Sequence, residues 1–195
     1  MDKFVENYFR LLNERIVSSR VTDGEGKTLS LEQGVSRACD MIMESTGEGG
    51  TVMFIGNGGS SSISSHMAID FWKNGNMKAI AFNDFAQLTC LGNDYGYEHI
   101  FDKPIEMFAS KGDILVAISS SGRSPNILAG VEAAKKKQCS IITMSGFSPD
   151  NPLSTSGDLN FHVPDGNYGP VEILHQSLCH CILDRIMVLQ GKIKF

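Results

Sequence analysis

The chain lacks the features that mark membrane-spanning, secreted and nucleic-acid-binding proteins. No apolar run in its 195 residues approaches the roughly 20 residues needed to span a bilayer. The N-terminal segment is amphipathic and interrupted by charges, unlike a signal peptide. Lys and Arg total 17 against 22 Asp and Glu, so the net charge is −5 and no basic footprint for nucleic acid is present. We therefore expect neither a membrane nor a nucleic acid as partner.

The cysteines form no disulfide framework. Their count is odd, their spacing is irregular and no secretory signal precedes them, which predicts reduced thiols and a cytoplasmic protein. The five positions are Cys39, Cys90, Cys139, Cys179 and Cys181.

Short apolar runs alternate with helical patterns along most of the chain. The runs predict strands at 51–56, 78–82, 113–119, 139–146 and 159–163, and the helical patterns cover 60–73, 84–91, 102–110, 124–137 and 170–190. Such alternation predicts a parallel sheet with helices on both faces. The predicted fold class is therefore α/β, a three-layer αβα sandwich around a central five-stranded parallel sheet.

Two helices are predicted before the first of these strands. Residues 3–17 place apolar side chains on one side at helical spacing, and Ser30 with Gln33 forms a capping-box pattern that opens a helix to about Glu44. The intervening TDGEGKT is predicted to be a loop. Residues 1–46 carry no phosphate-binding or catalytic signature, so we expect them to serve packing or oligomerisation within a single domain, 1–195.

The segment FIGNGGSSSISSH, residues 54–66, combines glycines and serines without a lysine. It lies between a predicted strand and a predicted helix, where connections are short and structured, so it is not a flexible linker. Glycines allow close backbone approach, and the free N–H groups at a helix start attract anions. A second turn of this kind, SSSGRS at 119–124, follows another strand. Both turns are predicted to meet at the carboxyl edge of the sheet, where α/β proteins bind ligands.

The two turns favour a phosphate monoester over a nucleotide. The Walker A pattern is absent, and neither turn fits the dinucleotide fingerprint with its distant acidic residue, so no nucleotide cofactor is expected. Hydroxyl and backbone N–H groups without a fixed lysine suit the phosphate of a small molecule. The alternative is that these serines only cap helices, which explains one such turn more readily than two.

The motifs GNGGS at 56–60, GNDYG at 92–96 and AISSSGRSPNI at 117–127 resemble those of the sugar isomerase (SIS) domain family. Within it, the chain is most similar to phosphoheptose isomerases, which interconvert sedoheptulose 7-phosphate and D-glycero-D-manno-heptose 7-phosphate. The resemblance runs from about residue 30 to 190. It implies a flavodoxin-like SIS fold, a homotetramer with active sites at subunit interfaces, and a substrate-binding set comprising Asn57, Gly58, Gly59, Ser60, Asp94, Ser119, Ser120, Ser121, Ser124 and Glu172.

Aldose–ketose isomerisation needs proton transfer at two adjacent carbons and stabilisation of an enediolate oxygen. His66 and Asp70 are four residues apart and share a helix face. The resemblance implies that Asp70 and His180 are the catalytic pair and that His66 is a metal ligand. The alternative is that the two histidines are packed polar residues on amphipathic helices.

Two imidazoles and two carboxylates form a candidate metal set, namely His66, Asp70, Glu172 and His180. These ligands suit Zn²⁺ or a harder divalent ion. Glu172 and His180 are about 12 Å apart along one helix. They converge only through extended side chains, through a non-helical start near Pro170, or from different subunits. Asp70 and Glu172 stand where the family has glutamate and glutamine.

The function expected from these observations is isomerisation of a seven-carbon sugar phosphate that supplies heptose for a surface polysaccharide. Two alternatives remain open. One is a non-catalytic SIS protein that senses a phosphosugar or binds a protein partner. The other is an isomerase of a different sugar phosphate, such as a hexose or pentose phosphate, which Asp70, Gly169 and Glu172 keep open.

Overall fold

The computed structural model describes residues 3–194, which form one mixed sheet flanked by helices. The strands are short, as expected for apolar runs bounded by turn residues. Their bounds are β1 Arg20–Asp23, β2 Thr28–Leu29, β3 Val52–Gly56, β4 Ala79–Ala81, β5 Ile114–Ser119, β6 Ser140–Ser145 and β7 Leu159–His162.

Within residues 3–194, seven α-helices accompany the strands, and each predicted helix is present. They are α1 Phe4–Val17, α2 Leu31–Gly47, α3 Gly59–Lys73, α4 Phe85–Asp94, α5 Asp102–Phe108, α6 Pro125–Lys136 and α7 Tyr168–Leu189. The predicted capping box is present at the start of α2, with hydrogen bonds in both directions between Ser30 and Gln33. None of the helices described here is both long and apolar enough to cross a membrane.

The sheet has the order β2-β1-β7-β6-β5-β3-β4. The five predicted strands, β3 to β7, are all parallel, which confirms the α/β sandwich. The prediction of a five-stranded sheet was wrong, because residues 20–29 form a hairpin rather than a loop. Its first strand pairs antiparallel with β7, and its Val21 side chain is buried against the core.

Alternate residues of the parallel strands face opposite sides of the sheet and build two hydrophobic cores. Val52 and Phe54 of β3 pack with residues of α2, α3 and α7. Met53 and Ile55 face the other side, where α5 and α6 cover the sheet. The helices α3 and α7 therefore lie side by side on one face, and both begin at the carboxyl edge of the parallel strands.

Candidate active site

The glycine loop, residues 56–60, connects β3 to α3 in a conformation that only a glycine adopts easily. Gly58 has φ 53° and ψ −121° and precedes the first residue of α3. The first N–H groups of a helix have no partner within the helix, so they remain free for an acceptor. Ser60 is buried in the first turn of α3. The loop therefore offers backbone donors at the edge of the sheet, as the sequence predicts.

The serine turn, residues 119–124, connects β5 to α6 and is folded around its own hydroxyls. The N–H of Gly122 donates to Ser119 Oγ at 3.2 Å, and the N–H of Arg123 donates to Ser121 Oγ at 3.3 Å. The oxygens of Ser119 and Ser124 are 3.4 Å apart. Three hydroxyls thus lie within one turn at the carboxyl end of a central strand.

Two serines of this turn behave differently from helix caps. Ser124 occupies the N-cap of α6, but its side chain makes no capping hydrogen bond. The hydroxyl of Ser120 is buried and has no hydrogen-bond partner in the part of the chain described here. Because buried polar groups are normally paired, the Ser120 hydroxyl favours the ligand-binding interpretation, and the missing cap at Ser124 argues against the capping one.

A reciprocal amide pair joins the glycine loop to the start of α6, directly after the serine turn. Asn57 Nδ2 donates to Asn126 Oδ1 at 2.9 Å, and Asn126 Nδ2 donates back to Asn57 Oδ1 at 3.0 Å. The hydroxyl of Tyr97 also donates to Asn57 Oδ1, at 3.2 Å. The two turns therefore meet at one edge, as expected. Asn126 and Tyr97 were not anticipated from the sequence, because neither contact follows a local spacing.

Asp94 ends α4, and its carboxylate contacts residues close to it in the chain. The Asn93 side chain donates to Asp94 Oδ1 at 2.8 Å, and the Cys90 thiol lies 3.6 Å from Oδ2. Neither contact connects Asp94 with the glycine loop or the serine turn.

Glu172 belongs to α7, and its carboxylate reaches the start of α3. A Cβ atom built on Gly59 would fall 2.3 Å from Glu172 Oε2, so the carboxylate rests against the bare backbone of Gly59. An anion at a helix N-terminus is stabilised by the free N–H groups and by the helix dipole. Glu172 therefore shares the edge of the sheet with the two turns.

His66, Asp70 and His180 form a compact group between α3 and α7, called here the His–Asp group. His66 Nε2 is 3.1 Å from Asp70 Oδ2, and His180 Nδ1 is 3.8 Å from the same oxygen. The imidazole rings meet edge to face, with centroids 5.2 Å apart. The Asp70 side chain is 21% exposed, and the two histidines are 54% and 39% exposed. These groups are thus accessible to a substrate.

Two amide side chains hold the outer sides of this group. Asn74 Nδ2 donates to Asp70 Oδ1 at 3.1 Å from one turn along α3. Gln176 Nε2 lies 3.1 Å from His180 Nε2, one turn earlier on α7. Neither amide was predicted to belong to the site, although each lies four residues from its partner in the sequence, a spacing that places two side chains side by side on a helix.

The His–Asp group fits a divalent metal ion. One ligand atom from each residue can be chosen so that all three lie within 4.8 Å of one another. Zn²⁺ bonds of about 2.0–2.2 Å in tetrahedral geometry place ligand atoms about 3.3 Å apart. This is close to the 3.1 Å and 3.8 Å that separate Asp70 Oδ2 from the two imidazole nitrogens. Two imidazoles and one carboxylate also leave the fourth position open, as in catalytic zinc sites.

The structure does not bring Glu172 into this group. Helix α7 begins at Tyr168 and continues without interruption past His180, so the non-helical start near Pro170 that the sequence allowed does not occur. Proline is tolerated there because the first turn of a helix needs no N–H donor. Within one chain, Glu172 therefore stays about two helical turns from the His–Asp group.

The other three histidines lie outside the His–Asp group, in surroundings that fit the structural role expected for them. His99 Nδ1 is 2.7 Å from Asp102 Oδ2. His175 is fully buried with Nε2 3.0 Å from the carbonyl oxygen of Ser145, and burial lowers its pKa to about 4. Burial also lowers the pKa of His162. The Cys179 side chain is buried while Cys181 is exposed, so this pair does not join His180 in a metal site.

Comparison with known proteins identifies the family of this chain. The profile of the SIS domain matches residues 26–146, which is more than half of the chain. The chain belongs to the SIS domain family. It is 32% identical over 166 residues to the phosphoheptose isomerase of Helicobacter hepaticus, an alignment that covers 82% of this chain and 84% of that protein.

Solved structures of SIS proteins extend the similarity to the fold. The phosphoheptose isomerase GmhA from Neisseria gonorrhoeae superposes with a TM-score of 0.80 at 26% identity, covering 95% of this chain and 98% of that one. The phosphoheptose isomerase from Francisella tularensis gives a TM-score of 0.79 at 28% identity, with the same coverage. The SIS fold expected from the motifs is therefore confirmed.

Proposed function

We propose that this SIS protein is a sugar phosphate isomerase of the phosphoheptose isomerase type, acting on sedoheptulose 7-phosphate. The observation that carries the proposal is the His–Asp group. It places two imidazoles and a carboxylate together on exposed helix faces, in a chain whose relatives are phosphoheptose isomerases. A protein that only bound a phosphosugar would have no need for these ionisable groups.

The phosphate is assigned to the edge of the sheet. The N–H groups of the glycine loop and the hydroxyls of Ser119, Ser120, Ser121 and Ser124 offer donors to its oxygens. The unpaired, buried hydroxyl of Ser120 supports this assignment, because a ligand oxygen would satisfy it. Asn57 and Ser60 contribute from the glycine loop. Asp94 is assigned to the sugar rather than the phosphate, because its carboxylate would repel an anion.

The proton transfers are assigned to Asp70 and His180. A carboxylate that removes the proton from the carbon beside the carbonyl and an imidazole that moves the hydroxyl proton would together convert ketose to aldose. Asn74 and Gln176 restrict the orientation of these two side chains. A Zn²⁺ ion held by His66, Asp70 and His180 would supply a Lewis acid for the developing oxyanion.

The substrate assignment is open to one specific alternative. Glu172 places a negative charge next to the glycine loop, where the family has a neutral glutamine. This departure from the family keeps a hexose or pentose phosphate as the second candidate substrate.

We further propose a homotetramer with interfacial active sites, located in the cytoplasm and feeding heptose into a surface polysaccharide. Helix α1 has no buried residue, and Phe4, Val5 and Phe9 are each more than 60% exposed. An apolar groove of about 870 Å³ lies between α1, α2 and α7 beside His180. These surfaces support subunit contacts next to the His–Asp group. Sedimentation of the purified protein would measure the subunit number.

The test is conversion of sedoheptulose 7-phosphate followed by NMR, with added Zn²⁺ and with EDTA. We expect turnover by the wild type and by His99→Ala, a control whose histidine–aspartate pair lies outside the site, and no turnover by Asp70→Ala or His180→Ala. Wild-type rates in either variant would end that role assignment. Turnover that persists in EDTA would show that the reaction needs no metal ion. Binding without turnover would favour another substrate or a phosphosugar sensor.

A further inference from the structure

Gln176 has two polar neighbours that together fix the orientation of its side chain. Its Nε2 atom lies 3.1 Å from His180 Nε2 and 3.4 Å from the sulfur of Met67. Met67 is fully buried, and Gln176 is partly buried. The amide therefore sits in a confined position between α3 and α7.

The thioether decides which end of the amide faces the histidine. A thioether sulfur can accept a hydrogen bond but has no proton to donate. Turning the amide over would place its carbonyl oxygen against the sulfur, where two acceptors repel each other. The NH₂ end therefore faces both Met67 and His180, and its two protons are used by the two neighbours.

This orientation determines the tautomer of His180. When the amide donates to Nε2, that nitrogen must carry a lone pair, so the ring proton of neutral His180 is on Nδ1. Nδ1 is the nitrogen that lies 3.8 Å from Asp70 Oδ2, so a carboxylate acceptor is near the protonated nitrogen. Asn74 holds the other carboxylate oxygen of Asp70. A single assignment of protons therefore satisfies every contact from Met67 through Gln176, His180 and Asp70 to Asn74.

We propose that Gln176 is a positioning residue that keeps the ring proton of His180 on Nδ1 and thereby weakens metal binding at that nitrogen. The inference rests on the proposed metal site only for its second half. A metal ion at Nδ1 requires the proton to move to Nε2, where it would meet the NH₂ of Gln176. Binding then also requires the amide to turn against the Met67 sulfur. Metal-bound histidines usually donate their second N–H to an acceptor, which Gln176 does not offer in this orientation.

The tautomer is measured directly on the metal-free protein. Long-range ¹H–¹⁵N correlation spectra at pH 8.5, where an ordinary imidazole is neutral, distinguish a protonated Nδ1 from a protonated Nε2. We expect Nδ1–H in the wild type and Nε2–H in Gln176→Glu, which offers only acceptors. Nε2–H in the wild type would overturn the proposal. This readout involves no isomerase activity, so it separates failure of this inference from failure of the proposed function.

Zn²⁺ affinity, measured by competition with a chromophoric chelator, tests the second half. We expect Gln176→Glu to bind Zn²⁺ about tenfold more tightly than the wild type, within the range typical of changes to a ligand's hydrogen-bond partner. Gln190→Glu adds the same charge at the end of α7, about 20 Å from Gln176 along the axis, and should leave the affinity unchanged. Met67→Leu should increase affinity modestly, because the amide is then free to turn. Equal affinities in the wild type and Gln176→Glu, or equal gains in both glutamate variants, would refute the effect on metal binding.

Discussion

The buried His175 makes the stability of this protein depend on pH in a defined window. Its side chain is fully buried in α7, with one ring nitrogen hydrogen-bonded to the Ser145 carbonyl oxygen and the other without a partner in the part of the chain described. Burial disfavours the charged imidazolium and lowers the pKa to about 4. In the unfolded chain the same histidine has its ordinary pKa of about 6.5.

The sign and size of the effect follow from proton linkage. Between pH 6.5 and 4 the unfolded state binds a proton that the folded state does not, so stability falls as the pH falls through this window. The difference between the two pKa values is about 2.5 units, and each unit is worth about 1.36 kcal/mol. His175 alone is therefore expected to cost about 3 kcal/mol of unfolding free energy by pH 4. His162 acts in the same direction, because burial lowers its pKa too.

Urea unfolding at fixed protein concentration, repeated from pH 7.5 to pH 4, measures this loss. His175→Gln removes the titrating group, so the fall in unfolding free energy over the window should be smaller by about 3 kcal/mol than in the wild type, whatever the variant's stability at pH 7. The wild type, measured in parallel over the same pH range, is the reference for this slope. If His175→Gln and the wild type lose equal free energy between pH 6.5 and 4, the buried neutral state of His175 is refuted.

Three further changes test the phosphate-binding edge. Gly122→Ala should destabilise the serine turn and raise the KM for the sugar phosphate, because Gly122 has φ 61° and a Cβ atom there would fall 1.8 Å from Asn151 Oδ1. Thermal unfolding measures the loss of stability, and steady-state kinetics measure the KM. Asn126→Ala removes the amide pair with Asn57 and should raise KM more than it lowers kcat. Glu172→Gln should lower KM for the sugar phosphate about tenfold, about 1.4 kcal/mol, by removing a negative charge near the phosphate. An unchanged KM in the last two variants would contradict the placement of phosphate at this edge.

The fold was predictable where sequence signals are local and strong. The parallel strands are short segments rich in apolar residues, and β5 is buried along its whole length, so hydrophobicity alone identifies it. The hairpin at 20–29 was missed because its strands are four and two residues long and its turn chemistry looks like a loop. Its pairing with β7 joins segments about 140 residues apart, which no local pattern reveals.

In the candidate site, too, the features set by local spacing were predictable and those set by long-range packing were not. The spacing of His66 and Asp70 correctly predicted a shared helix face, and the packing of α3 on α7 adds His180. The contact between Asn57 and Asn126 spans 69 residues and depends on how two turns meet, so it required the structure. The position of Glu172 depended on where α7 begins, and helix boundaries are the least certain feature that sequence patterns provide.

The separation between phosphate edge and His–Asp group leads to a last prediction about assembly. Gly59 and His66 are seven residues apart on α3, which is roughly 10 Å along the helix axis. In the proposed tetramer with interfacial active sites, we expect a phosphate held by one chain to present its sugar to the His–Asp group of another. Ser119→Ala removes a phosphate donor, and His180→Ala removes an acid–base group. If the two groups act from different chains, mixed oligomers of these two impaired variants should contain some sites with both functions intact.

Mixing the two variants under conditions that exchange subunits should then restore up to about a quarter of the wild-type rate per site, because random pairing supplies both intact residues to one site in four. Two pools of the same variant, mixed identically, are the control and should stay inactive. Complementation would be impossible if each site used residues of a single chain, since every chain in the mixture lacks one of them. An inactive mixture whose subunits have demonstrably exchanged would therefore assign both groups to one chain, and the substrate would then have to span the distance along α3 itself.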